Sequence, residues 1–269
     1  MGCAVKILMI CEFFDPDLEF QENLALKYYR KHGHDVMLLT SAYTSVFDYY
    51  AARPIPKPSA TTFEHQGATV HRLPYAFNLM NRLRPLRGVR GLVEAFAPDL
   101  IFVHDVSVNF PELAAYVGRH PGCRMIMDYH ADYSNSGRGW LSLKVLHGTI
   151  RRYLLDAARP HLARIFPIVP AGFTFLHEIY GVPMEEMELL PLGADLDLIA
   201  AVQSSRSTGA LRDHYALTAE DLVIVTGGKI TPRKRIELLL QAMDCGGLRN
   251  AKLLVLGEFA AEDAPVFER

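Results

Sequence analysis

Residues 5–11, VKILMIC, form a short and almost continuously apolar run near the start of the chain. A run of this kind is typical of a central parallel strand that is covered on both faces. Residues 22–31 have a helical pattern that Gly33 closes, and residues 35–40, DVMLLT, form a second apolar run. The order strand, helix, strand predicts the first unit of a doubly wound α/β sheet.

The alternation of apolar runs and helical segments continues to about residue 197. Further apolar runs occupy residues 69–73, 99–104, 123–128, 164–169 and 187–190. A long helical region is predicted over residues 140–158. Because strands that are separated by helices form parallel sheets, the sequence predicts a Rossmann-like domain over residues 1–197.

A second unit follows a polar segment. Residues 203–213, QSSRSTGALRD, carry no apolar periodicity, so we expect a surface loop there and place a linker over residues 198–214. Residues 222–226 and 251–256 predict two strands around an amphipathic helix. A Rossmann-like domain takes roughly 100 to 150 residues, so residues 215–269 predict only the beginning of a second one.

The composition limits the class of protein. The chain has 269 residues, half of them apolar, and a formal net charge of -2, which gives no general electrostatic reason to expect nucleic acid. The four cysteines match neither a CxxC pair nor a metal-binding spacing. No apolar run is long enough for a membrane span, and no cleavable signal opens the chain. These features predict a soluble cytoplasmic protein with reduced thiols.

The most informative segment for function is 227–235, GGKITPRKR, between an apolar strand and an amphipathic helix. Ligands of open α/β sheets bind at the carboxyl ends of strands, where this segment lies. Cations beside a helix N-terminus oppose the macrodipole by about 0.3 to 1 kcal/mol each, so this cluster is unfavourable unless an anion binds. A phosphate or diphosphate is the expected ligand. The alternative is a solvated basic turn.

Residues 227–234, Gly-Gly-Lys-x-x-Pro-x-Lys, resemble the donor-phosphate motif of retaining GT-B glycosyltransferases of family 4. Lys229 falls where this family usually has arginine, and Lys234 falls on its lysine. The resemblance implies that the pair neutralises the diphosphate of a nucleotide sugar as it leaves. Two positions depart from the pattern, since Lys229 lacks the bidentate fork of arginine and Arg235 replaces a glycine.

Three further segments are similar to the same family. They are residues 191–195, PLGAD, residues 128–132, DYHAD, and the N-terminal residues 6–36. The resemblance implies that His130, directly after a central strand, lies near the transferred sugar. The alternative is a histidine that caps local backbone groups. Asp132 would orient His130 or belong to a turn.

The resemblance covers nearly the whole chain and implies an α/β fold of the GT-B type, with a complete acceptor-side domain and the beginning of a nucleotide-sugar domain. The implied activity moves a sugar from a nucleoside diphosphate sugar to a glycan or lipid-linked glycan, with retention, in surface polysaccharide biosynthesis. The predicted catalytic residues are His130, Lys229 and Lys234. The predicted donor-binding residues are Gly227, Gly228, Lys229, Lys234 and Glu258.

Two alternatives stay open: a catalytically inactive, truncated GT-B fragment that acts as a binding module, and a GT-B enzyme similar to nucleotide-sugar epimerases. The sequence Asp-x-Asp occurs at residues 15–17 and 195–197. GT-B enzymes neutralise the leaving phosphate with basic side chains and helix N-termini, so we predict no metal site and no cofactor besides the donor substrate.

A basic stretch suggests a further partner. Four arginines between residues 82 and 90 alternate with apolar residues, which predicts a basic amphipathic helix. Its basic face either meets solvent or contacts anionic lipid head groups or a lipid-linked acceptor. The expected location is therefore the cytoplasm, with peripheral contact at the inner membrane face as an open alternative.

Overall fold

The computed structural model of the chain describes residues 4–43, 60–137, 139–205, 208–228, 234–246, 248 and 250–257. These residues belong to two units, and the boundary between the units falls between Asp195 and Leu196. The first unit is built on a seven-stranded sheet, and the second contains a two-stranded sheet. The finer limits drawn from the sequence, with a linker at 198–214, remain predictions.

The strands of the first unit are β1 Lys6–Ile10, β2 Asp35–Ser41, β3 Thr61–His65, β4 Ala68–Leu73, β5 Leu100–His104, β6 Arg124–Tyr129 and β7 Leu162–Pro167. They lie in the order β3-β4-β2-β1-β5-β6-β7. Neighbouring strands are parallel except β3, which is antiparallel to β4. The chain builds from β1 towards one edge and then from β5 towards the other, so the topological switch point lies between β1 and β5.

The helices of the first unit are α1 Gln21–Lys31, α2 Val89–Phe96, α3 Phe110–Arg119, α4 Arg152–Ala158 and α5 Pro170–Phe175. A π-helix over Leu141–Arg151 runs directly into α4, and a second one over Leu176–Tyr180 follows α5. The helical region expected over residues 140–158 is confirmed. Its wider π-helical turn is a feature that apolar periodicity does not reveal.

Consecutive residues of β1 are buried on opposite faces of the sheet. Ile7 packs in an apolar cluster with Leu26 of α1, whereas Leu8 packs in a second cluster with Phe110 of α3. All four side chains are buried. Both faces of the strand are therefore covered, as the continuous apolar run at residues 5–11 predicts.

The second unit consists of α6 Leu196–Ser204, α7 Thr208–His214, β8 Leu222–Gly227, α8 Ile236–Cys245 and β9 Ala251–Leu256. Strands β8 and β9 are parallel, so the predicted strand, helix, strand unit is present. Among the helices of the described ranges, none combines the length and the apolar character that crossing a membrane requires.

Three expectations from the sequence pattern are wrong. The apolar run at residues 187–190 is not a strand and contributes only an isolated bridge between Met187 and Ile165. The basic segment 82–88 is not helical, because Pro85 lacks a backbone N–H and Gly88 has a left-handed φ of 87°, so α2 begins only at Val89. Residues 203–213, expected to form a loop, overlap α7 in the second unit. A polar helix lacks the apolar stripe by which periodicity detects helices.

His147 lies in the π-helix and is buried among aromatic side chains. Its Nδ1 is 2.7 Å from the hydroxyl oxygen of Tyr180, and its ring centroid is 5.3 Å from that of Phe175. Burial lowers the pKa of His147 to about 4, and the positive charge of Arg151 acts in the same direction. The histidine is therefore a neutral core residue rather than part of a reactive group.

We expect the first unit to lose stability as the pH falls from 6.5 to 4. In the unfolded chain His147 takes up a proton near its ordinary pKa of 6.5, whereas in the folded chain it stays neutral down to about pH 4. The free energy of unfolding therefore falls by roughly 3 kcal/mol across this window. Urea unfolding at a series of pH values should show this slope, and His147→Gln should flatten it. The exposed control His32→Gln should retain the wild-type slope, and an unchanged slope in His147→Gln would contradict the assignment.

Candidate active site

A cleft of about 690 Å³ opens at the carboxyl ends of β1 and β5, at the switch point of the first sheet. Its walls follow β1, β5 and β6 and include the first turn of α1. The polar side chains on its walls are Glu12, Asp15, Gln21, Glu22, Arg82, Arg84, His104, Asp105, Ser107, Asn109, His130, Asn135, Ser136 and Arg151. Open α/β sheets bind ligands at this place, so the cleft is the candidate site of the first unit.

The polar centre of the cleft is a cluster of two histidines around a buried carboxylate. Asp128 at the end of β6 has no exposed surface. Its Oδ2 accepts a hydrogen bond from Nε2 of Gln21 at 3.0 Å and lies 3.1 Å from Nε2 of His130. Nδ1 of His104 is 3.2 Å from both carboxylate oxygens. The two imidazole rings are 4.2 Å apart at their centroids.

The register of the sheet produces this cluster. Strands β5 and β6 are parallel, and His104 is the direct partner of Asp128. Neighbouring strands lie about 4.8 Å apart, so directly paired side chains on the same face are close enough to meet. The sequence motifs assign no role to either side chain. The available signal was that the apolar runs DLIFVH and CRMIMD both end on a polar side chain.

The charges in the cluster stabilise each other. Burial by itself lowers the pKa of His104, but the charge of Asp128 and its hydrogen bond outweigh this effect and raise the pKa to about 9. Burial raises the pKa of Asp128, whereas His104 and His130 lower it, to about 2. At neutral pH His104 and Asp128 therefore form an ion pair beneath His130.

The backbone around His130 is fixed by Asp105. The backbone N–H of His130 donates to Oδ1 of Asp105 at 2.8 Å, and the backbone N–H of Asp105 donates to the carbonyl of Asp128 at 3.1 Å. Asp105 itself has a left-handed φ of 59°. Such a conformation costs a non-glycine residue on the order of 1 kcal/mol or more and often occurs at functional sites.

Glu22 is a second carboxyl group that faces the cleft. It lies in the first turn of α1, where the helix dipole favours a negative charge. Burial raises the pKa of Glu22, whereas the nearby His104 and His130 act against this shift. Its carboxyl oxygens are acceptors for hydroxyl groups of a bound sugar.

Arg84 belongs to the wall of the cleft rather than to a solvated helix face. The residue is buried, forms a salt bridge with Glu12, and donates from Nη2 to Oε2 at 2.7 Å. Its guanidinium lies 5.5 Å from the ring centroid of Phe13 and 5.7 Å from that of Tyr75. The sequence-based expectation of a uniformly exposed basic face is therefore wrong at this arginine.

The cluster also contains atoms of the kinds that bind divalent cations. One atom each from His104, Asp128 and His130 lies within 4.8 Å of the others. Three N–H donors face Oδ2 of Asp128, whereas Oδ1 of the same carboxylate is buried without a hydrogen bond from any described residue. The absence of a metal site remains a prediction.

The predicted donor-binding residues belong to the second unit. Gly227 ends β8, and Gly228 follows with a φ of 106° and donates its N–H to a carbonyl at the end of β9 at 2.9 Å. Lys234 is exposed and lies just before α8. Lys229 and Glu258 lie outside the described residues. The glycines thus lie at a strand end, and donor binding by this group stays a prediction.

Solved structures show the same fold. The chain is similar to the catalytic domain of starch synthase IV from Arabidopsis thaliana, with 13% identity and a TM-score of 0.63 over 99% of this chain and 71% of that chain. Sucrose-phosphate synthase from Thermosynechococcus elongatus has 15% identity and a TM-score of 0.59, over 96% of this chain and 63% of that chain. The structure described as trehalose-6-phosphate from E. coli bound with UDP-2-fluoro glucose has 11% identity and a TM-score of 0.60, over 98% of this chain and 67% of that chain.

These likenesses show the fold and confirm the predicted GT-B class. The chain spans only 63% to 71% of the lengths of these three structures. No curated protein gives a significant sequence match. Residues 23–193 match the family model described as a glycosyl transferase 4-like domain. Because this match covers more than half of the sequence, the chain belongs to the glycosyl transferase 4-like family.

Proposed function

We propose that the protein transfers a sugar from a nucleoside diphosphate sugar to a glycan or lipid-linked glycan, with retention of configuration, in surface polysaccharide biosynthesis. The observation that carries the proposal is the position of His130 in the switch-point cleft of a chain from this family. The likeness to structures bound to ADP and acarbose, and to UDP-2-fluoro glucose, supports a nucleotide-sugar donor.

The proposed roles follow from charge and position. Lys229 and Lys234 would stabilise the departing diphosphate, because preorganised cations at developing charge lower the barrier most. The backbone N–H groups near Gly227 and Gly228 would bind the same diphosphate. His130 would position the sugar or the acceptor. The proposal includes no metal and no cofactor besides the donor.

A transfer assay separates the proposal from its alternatives. The protein is incubated with UDP- and GDP-sugars, with and without glycan acceptors, and nucleoside diphosphate release is followed. Acceptor-dependent release with a retained anomeric configuration supports the proposal. Isomerisation of the sugar without an acceptor indicates an epimerase, and binding of UDP or GDP without turnover indicates a binding module. Binding of NAD would argue against all three.

A hairpin with an exposed apolar tip beside the cleft is the best candidate for membrane contact. It spans residues 75–86 and is closed by two antiparallel bridges. Phe77, Leu79 and Met80 at its tip are exposed, and Met80 keeps 85% of its surface. Several apolar side chains exposed next to each other are typical of an interaction surface, whereas apolar residues scattered singly over a surface are ordinary.

The charge around this tip fits an anionic bilayer. Residues 65–93 contain five arginines and neither aspartate nor glutamate. Arg87 and Arg90 are exposed, and Arg82 lines the cleft. We propose that the tip enters the head-group region of the inner membrane face, which would bring a lipid-linked acceptor near the cleft of a cytoplasmic enzyme.

Met80→Asp should weaken binding to anionic lipid vesicles about 10- to 150-fold, because inserting one methionine side chain contributes roughly 1.5 to 3 kcal/mol. Co-sedimentation with anionic and zwitterionic vesicles measures this change, and added salt should weaken binding to the anionic vesicles. Met184→Asp is the matched control, since Met184 is also exposed and lies outside the hairpin. Equal loss in both variants, or no binding by the wild type, would contradict the proposal.

A further inference from the structure

The buried carboxylate of Asp128 contacts one specific nitrogen of His130. We propose that Asp128 is a positioning residue, which holds the Nε2–H of His130 and leaves Nδ1 of that ring to accept a hydrogen bond from a sugar hydroxyl in the cleft. The inference rests on the proposed function and adds the atom through which His130 acts. Asp128 lies in the motif segment 128–132, but neither Asp128 nor His104 is among the site residues predicted from the sequence.

The direction of the hydrogen bond follows from the chemistry of the two groups. An ionised carboxylate only accepts, so the ring nitrogen 3.1 Å from Oδ2 of Asp128 carries its hydrogen. A neutral imidazole has one hydrogen, and Nδ1 of His130 is then an acceptor. Within the part of the chain that the structure describes, no side chain or backbone group bonds to this Nδ1. A hydroxyl group is the complementary donor.

The backbone of His130 is held on both sides by side chains of the loops around it. Its backbone N–H is bound by Asp105, and its carbonyl accepts a hydrogen bond from Nδ2 of Asn135 at 2.9 Å. The side chain is 24% exposed, so one edge of the ring reaches the cleft while the other meets the fully buried Asp128. Rotation of the ring would break the bond to Asp128 and place a ring C–H against a buried carboxylate.

His104 stabilises the ionised form of Asp128, together with His130. Its imidazole faces both carboxylate oxygens from the neighbouring strand. The other charged groups facing the two histidines are Glu22 from α1 and Asp105 from the loop after β5. The low pKa of Asp128 agrees with this geometry, because His104 provides the largest favourable charge that acts on it. Asp128 therefore stays an acceptor over the whole neutral range.

Nitrogen-15 NMR of histidine side chains in the full chain tests this arrangement. We expect the wild type to show a slowly exchanging ring Nε2–H that disappears in His130→Gln, which assigns it. Exposed ring N–H groups exchange too fast to be seen, so His32 should give no such signal. A His130 ring with its hydrogen on Nδ1, or with no protected hydrogen, would overturn the inference without any Asp128 variant.

Two variants extend the test. Asp128→Asn should remove the protected signal, since the amide cannot accept from Gln21, His104 and His130 as a carboxylate does, whereas His104→Gln should retain it. In the transfer assay Asp128→Asn should lower kcat about tenfold or more with little change in donor KM. A protected Nε2–H in a protein that transfers no sugar would refute the proposed function alone, and full kcat in Asp128→Asn would refute the positioning role alone.

Discussion

Lys234→Ala should lower kcat for sugar transfer by about 10² to 10³-fold, the range observed when one preorganised group that stabilises developing charge is removed. Lys234 is exposed and lies just before α8, between a strand end with two glycines and an amphipathic helix. Its ammonium would meet the diphosphate as the bond to the sugar breaks. The effect should therefore be larger on kcat than on donor affinity.

The control for Lys234→Ala is Lys252→Ala, which removes the same charge from β9 of the same unit. Both positions are exposed, so each substitution should change the free energy of unfolding by no more than about 0.5 kcal/mol. If the two variants have equal unfolding curves and only Lys234→Ala loses turnover, Lys234 has a role in the reaction. Full turnover in Lys234→Ala would refute the donor-site assignment.

The central sheet could be predicted because its strands are buried on both faces. A strand that is covered on both faces forms a continuous apolar run, which can be recognised without knowing which strands are its neighbours. Strand β3 was missed because residues 61–65, TTFEH, form an edge strand with little apolar character. The local signal was the turn at Gln66 and Gly67, both with positive φ, which joins β3 to β4 as an antiparallel hairpin.

The candidate site could be predicted only where a motif marks it. His130 follows from the segment after β6, but its contacts depend on the pairing of β5 with β6, which is a long-range property of the sheet. Apolar runs at residues 99–104 and 123–128 indicate two strands and do not say that they are neighbours. The charge cluster with His104 and Asp128 therefore appears only when strand order and register are known.

The hairpin beside the cleft shows a different limit. Its arginines alternate with apolar residues in a way that fits a helix, yet Pro85 and Gly88 direct the chain into a loop. The consequence for function is large, because a helix would place Arg84, Arg87 and Arg90 on one face, whereas the hairpin buries Arg84 and exposes Met80. Pro85 and Gly88 therefore determine the local structure more than the alternation of arginine and apolar residues does.

His130→Ala should lower kcat/KM for sugar transfer about tenfold to a hundredfold, the effect of losing one hydrogen bond to a reacting substrate in a desolvated site. The fold should survive, because the buried carboxylate of Asp128 keeps its hydrogen bond from Gln21 and its ion pair with His104. Steady-state kinetics with saturating acceptor and varied donor measure the change.

The matched control is His120→Ala. His120 lies at the end of α3, outside the cleft, and its Nδ1 contacts the carbonyl of Tyr116. This variant should keep the wild-type kcat/KM. If His130→Ala also kept it, His130 would be a histidine that packs against its neighbours, and the cleft would need another group to hold the sugar. Glu22 would then be the residue to replace next, because its carboxylate faces the same cleft.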